Sequence, residues 1–293
     1  MNTSPNSMNL LDYRNDVTSS AGEDGIITKI FEIIGEESRW CVELGALNGT
    51  HDSNVWNLIR NKKWSGVLIE ADQTYFEKLQ AEYAHDAGAV CVNEFVSFEG
   101  EHSLDAIFAR TKIPKTFDLF VLDIDGNEYH VWESLREYRP RVMVVEFNPT
   151  IPNDVAFVQS RDMSVYQGSS LRSFVDLGKQ KGYELVAANE VNAFFVLKEL
   201  FPKFGIADNS VDTTHTDHTY ETKLFQLYDG TLKIAGYGKL MWHGLPIDEE
   251  DLQVLPMRRR VYPAMISPSP LVRAAKYLAR KLPFYRFVQS LRK

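Results

Sequence analysis

Two short apolar runs, each carrying a glutamate near its end, constrain this chain more than any other feature. The first is Trp40-Cys41-Val42-Glu43-Leu44, and Gly45-Ala46-Leu47-Asn48-Gly49 follows it directly. The second, Gly66-Val67-Leu68-Ile69-Glu70, comes after one stretch of helical pattern. Short apolar runs bounded by turn residues read as buried strands, so the segment is a strand–turn–helix–strand unit with an acid at the tip of its second strand. Such a unit suits a bound nucleoside. Glycines let the backbone approach the ligand, helix N-terminal amides face it, and the acid accepts from ribose hydroxyls. The interval from Gly49 to Glu70 fits that arrangement. It fixes the class of ligand better than the chemistry.

The rest of the chain continues the alternation. Gly22-Glu23-Asp24-Gly25 opens a helix whose Ile26, Ile27, Ile30, Phe31 and Ile34 recur at helical spacing, closed by Gly35. Further strands are expected at 89–96, 117–124, 142–147, 183–187 and 192–197, with helices near 74–83, 103–110, 127–138 and 170–181; Pro140 is expected to break the third of these before the fifth strand. Strands alternating with helices predict a parallel sheet covered on both faces. The few residues between the last two strands allow only a hairpin, so the seventh strand must run antiparallel. The fold class is therefore α/β: a seven-stranded, mostly parallel Rossmann-like sheet with an antiparallel last strand, plus a C-terminal appendage. We expect a ligand-binding domain over 1–200, a partly β region over 201–257, where Tyr228-Asp229-Gly230-Thr231 signals a hairpin, and a basic tail over 258–293. The Pro-bearing stretch 148–168 is longer than most connections and is a lid candidate.

Charge divides the chain. Ten Lys/Arg and no Asp/Glu fall between Arg258 and Lys293, giving +10, whereas the remainder carries −18. The acidic body should not bind nucleic acid, while the tail could meet an anionic surface. Within it, 270–281 has amphipathic helical spacing, which suits peripheral contact with an anionic membrane or packing on the acidic body of its own or a partner subunit, so an oligomer is left open. No run approaches the roughly 20 apolar residues of a spanning helix, and the polar start shows no signal pattern. Cys41 and Cys91 fall on strands one and three, which strand two should separate. A reducing, cytoplasmic location, at or away from the membrane surface, is the expectation.

The ordered set G-E-D-G, V-E-L-G-A-L-N-G, V-L-I-E-A-D, F-V-L-D-I-D-G-N-E-Y and N-A-F-F-V resembles the FkbM-type methyltransferases over about residues 18–200. The resemblance implies a class I fold, S-adenosylmethionine (SAM) as cofactor, and O-methylation of a sugar hydroxyl in a glycan, glycolipid or glycosylated metabolite. The chain departs from the commoner pattern in having Glu43 where Asp is frequent, and in its long C-terminal extension. Expected cofactor contacts are Gly45, Ala46 and Gly49 with Glu43 beneath the methionine portion, Glu70 and Ala71 at the ribose, and Asn93, Glu94 and Phe95 beside the adenine.

Methyl transfer is an in-line displacement that needs alignment and a dry site, and a sugar hydroxyl also needs its proton taken. Two schemes fit the strand ends. In one, Asp125 or His130 is the general base and Asp123 holds the SAM amine. In the other, Asp123, Asp125, Glu146 and Asn148 bind Mg²⁺, since hard oxygen ligands suit that ion. A catalytically silent SAM- or nucleotide-binding scaffold is the alternative function. An NAD-dependent oxidoreductase is disfavoured by the missing G-x-G-x-x-G and the antiparallel last strand. His102, His215, His218 and His243 are expected at the surface or in polar loops, and Cys41 and Cys91 as small core residues.

Overall fold

The computed structural model describes residues 8–263 together with Leu271, Ala274, Tyr277 and Leu278. The chain divides into two units, Met1–Glu221 and Thr222–Lys293. Most of the basic amphipathic stretch 270–281 lies outside the described residues. Among the described residues no helix is long and apolar enough to cross a membrane.

The first unit holds one sheet of seven strands: β1 (Trp40–Leu44), β2 (Ser65–Glu70), β3 (Ala89–Asn93), β4 (Thr116–Leu122), β5 (Arg139–Glu146), β6 (Tyr183–Ala188) and β7 (Asn192–Leu197). Their order is β3-β2-β1-β4-β5-β7-β6. The first five are parallel, and β7 runs antiparallel to both neighbours, pairing Glu146 with Asn192 and Val142 with Val196. Cys41 and Cys91 sit on strands that β2 separates, and both are free thiols.

Alternation along each strand builds two cores. Val42, Phe120, Leu122, Met143 and Phe195 face one side, while Cys41, Leu119, Val121, Val142 and Phe194 face the other. The first side is covered by α4 (Leu104–Ala109), α5 (Glu128–Ser134) and α6 (Leu171–Lys181); the second by α1 (Glu23–Ile34), α2 (Trp56–Arg60) and α3 (Gln73–Glu82). The stripe Ile26, Ile27, Ile30, Phe31 and Ile34 is buried, and each such side chain contributes about 1.5–3 kcal/mol by leaving water. Below the sheet, the buried Asp118 carboxylate accepts from Arg141 at 2.6 Å and from the backbone N–H groups of Glu37 and Arg39, tying the loop before β1 to β4 and β5.

Three details differ from the sequence reading. Helix α5 stops at Ser134 instead of running to 138, because Leu135 turns to extended backbone. Pro140 lies inside β5, opposite Phe117, at a level where β7 has not yet joined, so its missing N–H removes no ladder bond on that side. His215 is buried, not a surface residue: it follows a single helical turn, α7 (Val211–Thr214), and its Nδ1 pairs with Asn153 Oδ1 at 2.8 Å beside the Phe147 ring. The T-H-T-D-H segment is anchored through that ring and through the His215 carbonyl, which accepts from Asn153 Nδ2 at 3.1 Å.

In the second unit, β8 (Thr222–Gln226) and β9 (Leu232–Gly236) pair antiparallel around the Y-D-G-T turn, where Gly230 has φ +85° and Leu227 N–H donates to Thr231 O. Two short strands, β10 (Lys239–Leu240) and β11 (Leu245–Pro246), form a second ribbon.

Candidate functional site at the carboxyl edge of the sheet

A cavity of about 480 Å³ opens where β1, β2, β4 and β5 end. Its geometry begins with Gly45, which leaves β1 at φ +88°; a Cβ there would lie 1.8 Å from the Asp123 carbonyl oxygen. Only glycine allows the loops after β1 and β4 to close on each other in this way. Glu70 then fixes the first loop, because its carboxylate accepts from Leu47 N–H at 2.8 Å and from Asp72 N–H at 2.7 Å. Glu43 lies under the same loop. It takes the Ser53 hydroxyl and the Asn54 N–H at 2.7 Å each, and burial pushes its carboxyl up to about 8.

Beyond β4 the chain makes three successive left-handed residues, Asp125 (φ 59°), Gly126 (φ 137°) and Asn127 (φ 73°). Buried Glu128 holds this turn by accepting from Ile124 N–H at 3.1 Å and Gly126 N–H at 2.6 Å. The result presents Asp125, exposed, to the cavity. Behind it the carboxyls of Asp123 and Glu146 share a hydrogen bond. Burial, and then the charge of Asp125, raise Asp123 to about 6; burial and the Asp123 charge hold Glu146 well above the usual carboxylate range. Of the two, Glu146 is the carboxyl that donates and Asp123 the one that accepts.

The 148–168 stretch is organised by buried polar groups. Gln159 accepts from the N–H groups of Gln167 and Gly168, Asn127 Nδ2 donates to Asp162 O and Val165 O, and His130 Nε2–H donates to Gln159 O at 2.8 Å. Thus anchored, the stretch brings Met163 and Tyr166 to the cavity.

The expected site residues divide in two. Gly45, Glu70, Ala71, Glu94, Phe95, Asp123, Asp125 and Glu146 line the cavity. Glu43, Ala46, Gly49, Asn93, His130 and Asn148 do not. Gly49 serves packing, since a Cβ would meet Leu79 and Tyr83 at 2.7 Å. Asn93 donates back to Glu70 O and Ala71 O, shaping the wall from behind. His130 is buried against Phe98 and Tyr129 and reaches no cavity atom, so it drops out as a base. The four-ligand Mg²⁺ arrangement does not assemble. Asn148 is turned into its own loop, accepting from Thr150 and donating to Gln167 O, while Asp123 and Glu146 pair with each other. No group of three His, Cys, Asp or Glu among the described residues could hold a metal ion.

Sequence reasoning missed Glu23, Asn54, Asn127 and Asn192 as lining residues. One signal was present for Glu23: it precedes Ile26, Ile27 and Ile30 by three, four and seven residues, a carboxylate on the apolar stripe of its own helix.

The walls are acidic throughout. Among the described residues Glu23, Asp52, Glu70, Glu94, Asp123, Asp125 and Glu146 line the cavity together with His51, and no Lys or Arg does; Glu94 is already paired with Arg110 and His102. The amide oxygens of three lining residues, Asn54, Asn127 and Asn192, are buried without a hydrogen-bond partner. This acceptor-rich set fits a ligand that is cationic and rich in N–H and O–H groups. It does not fit a pyrophosphate, whose charge the cavity would repel.

The sheet is of the Rossmann-like methyltransferase type. Its strand order and antiparallel β7 separate it from a dinucleotide-binding sheet. No family model matches the chain, and no curated protein does. The solved structures it is similar to include the N-terminal domain of EvdMO1 with SAH (S-adenosylhomocysteine) bound, at 11% identity and TM-score 0.40, covering 61% of this chain and 81% of that one. They also include the glycopeptide N-methyltransferase MtfA complexed with sinefungin, at 10% identity and TM-score 0.36, covering 62% and 89%. A SAM-dependent methyltransferase from Aquifex aeolicus has 10% identity and TM-score 0.35, covering 58% and 87%.

Proposed function

We propose that this protein transfers a methyl group from SAM to a hydroxyl of a sugar-containing acceptor. The observation that carries the reading is the acidic cavity at the carboxyl edge of β1, β2, β4 and β5, lined among the described residues by seven Asp/Glu side chains, by His51 and by no Lys or Arg. SAM bears a net positive charge and donates through its ammonium, ribose hydroxyls and adenine amine, so it complements these walls; a nicotinamide dinucleotide does not.

Bound there, SAM would supply an electrophilic methyl on its sulfonium. The chain's own residues would do the rest. Glu70 and Ala71 flank the place for the ribose, and the half-exposed Phe95 ring borders the adenine side. Asp125 would be the general base, its carboxylate oxygen taking the acceptor's O–H proton while the methyl's bond to sulfur breaks, its bond to the acceptor oxygen forms and the neutral thioether is left. The Asp123–Glu146 pair retains one proton between two oxygens at close quarters, which limits the charge that Asp125 must face. Met163 and Tyr166 would cover the reacting atoms and exclude water. Neutral, hydroxyl-rich acceptors suit walls of this kind because they donate hydrogen bonds and bring no negative charge.

Incubating the purified protein with methyl-labelled SAM and a panel of neutral glycosides, uronic acids and sugar phosphates tests this. Label is expected in a neutral glycoside. Label in none of them, with SAM shown to bind, would count against the sugar acceptor.

A further inference from the structure

We infer that Glu23 and Asn192 form a receptor for the ammonium group of the cofactor's amino-acid portion. The inference rests on the SAM reading and deepens it. Glu23 stands in the first turn of α1, 2% exposed, yet lines the cavity. Its carboxylate is fixed by three neutral donors: Ala21 N–H at 2.9 Å, Asn189 Nδ2 at 2.6 Å and Asn192 Nδ2 at 3.1 Å. Those contacts orient the charge without neutralising it, and among the described residues no Lys or Arg lines the cavity to do so. A buried carboxylate in that condition is costly unless a cation comes to it.

Asn192 supplies the second half of the argument. Donation from its Nδ2 to Glu23 fixes which end of the amide is oxygen, and that oxygen is buried and partnerless on a residue that lines the cavity. A charged acceptor and a neutral acceptor thus sit together, held by the β6–β7 hairpin. An ammonium brings three N–H donors and a positive charge, and meets both. Asp123, the residue expected to hold the amine, already accepts from Glu146. Glu23 lies near enough to act on the charge of Asp123, so the receptor adjoins the reacting end of the cavity.

The antiparallel hairpin acquires a role from this placement. Asn192 stands opposite Glu146 at the end of β5, and Asn189 N–H donates to Asn192 O at 3.0 Å. The hairpin therefore carries Asn192 to the cavity and Asn189 to Glu23 as a unit.

Calorimetric titration of the full chain with SAH and with its deamino analogue separates the outcomes. Wild type is expected to bind SAH about ten- to a hundredfold more tightly than the analogue, the range for hydrogen bonds to charged groups. In Glu23→Gln that preference should collapse, both ligands binding alike; Asn192→Ala should narrow it several-fold. Retention of the full preference in Glu23→Gln would overturn the receptor. Should that variant fail to fold, an unchanged preference in Asn192→Ala overturns it equally. Wild type that binds neither ligand would remove the SAM reading and the receptor with it.

Discussion

Gly45 and Asp123 are in contact across neighbouring strand ends, with room for no side-chain carbon between them. The Cβ that any other residue would add at 45 falls 1.8 Å from the Asp123 carbonyl oxygen, at a backbone φ of +88°. The loop after β1 and the loop that carries Asp125 are therefore one rigid construction.

Gly45→Ala is expected to destabilise the fold by more than about 1 kcal/mol, from the positive φ and the clash together. It should also abolish SAH binding in whatever protein remains folded. Thermal unfolding paired with calorimetry reads both effects.

Glu128 holds the left-handed run 125–127 through one carboxylate oxygen. Glu128→Ala leaves two buried N–H groups without an acceptor, at about 1–3 kcal/mol each, and should lose methyl transfer. Glu128→Gln keeps an oxygen at that place and should retain most of both. Equal damage from the two variants would mean that the charge, not the acceptor, matters.

The elements were legible because the central strands, buried on both faces, are short apolar runs bounded by turn residues, and the short link between β6 and β7 left only a hairpin. Gly45, Glu70 and Asp125 were legible because they follow apolar runs directly. Glu43 misled for the same reason: a strand-end acid looks the same in sequence whether it faces the ligand or, as here, bonds Ser53 and Asn54 beneath the loop. His130 and Asn148 misled because the interior of the 148–168 stretch, built on Gln159, has no periodic signature. Glu23 was read only as a helix start, although its spacing to Ile26 and Ile30 placed it on the buried face.

Several buried acids bind their protons more tightly folded than unfolded. Burial raises Glu43 to about 8, Glu128 to about 7 and Asp123 to about 6. Between their ordinary values and these, the native state holds more protons than the unfolded one, so their contribution to stability falls as pH rises. Melting temperature should decline from about pH 5 to about pH 8.5, and Glu43→Gln should flatten the upper part of that decline. A midpoint rising over the same range would contradict the assignment.

Asp125 and His130 separate in kinetics. Asp125→Asn should lower kcat by about 10²–10⁴, the usual contribution of a positioned base, with little change in SAH affinity. His130→Gln should leave kcat close to wild type and lower the unfolding midpoint, because its ring supports Gln159 O and faces no cavity atom.

The most direct test of the account is an equilibrium titration of the purified chain with SAM, SAH and NAD at low and high salt. Saturable binding of SAM and SAH at one site per chain, SAM weakening more with salt because it carries the extra positive charge, and no binding of NAD is the predicted result. Saturable binding of NAD, with neither adenosyl ligand taken up, would contradict the central claim.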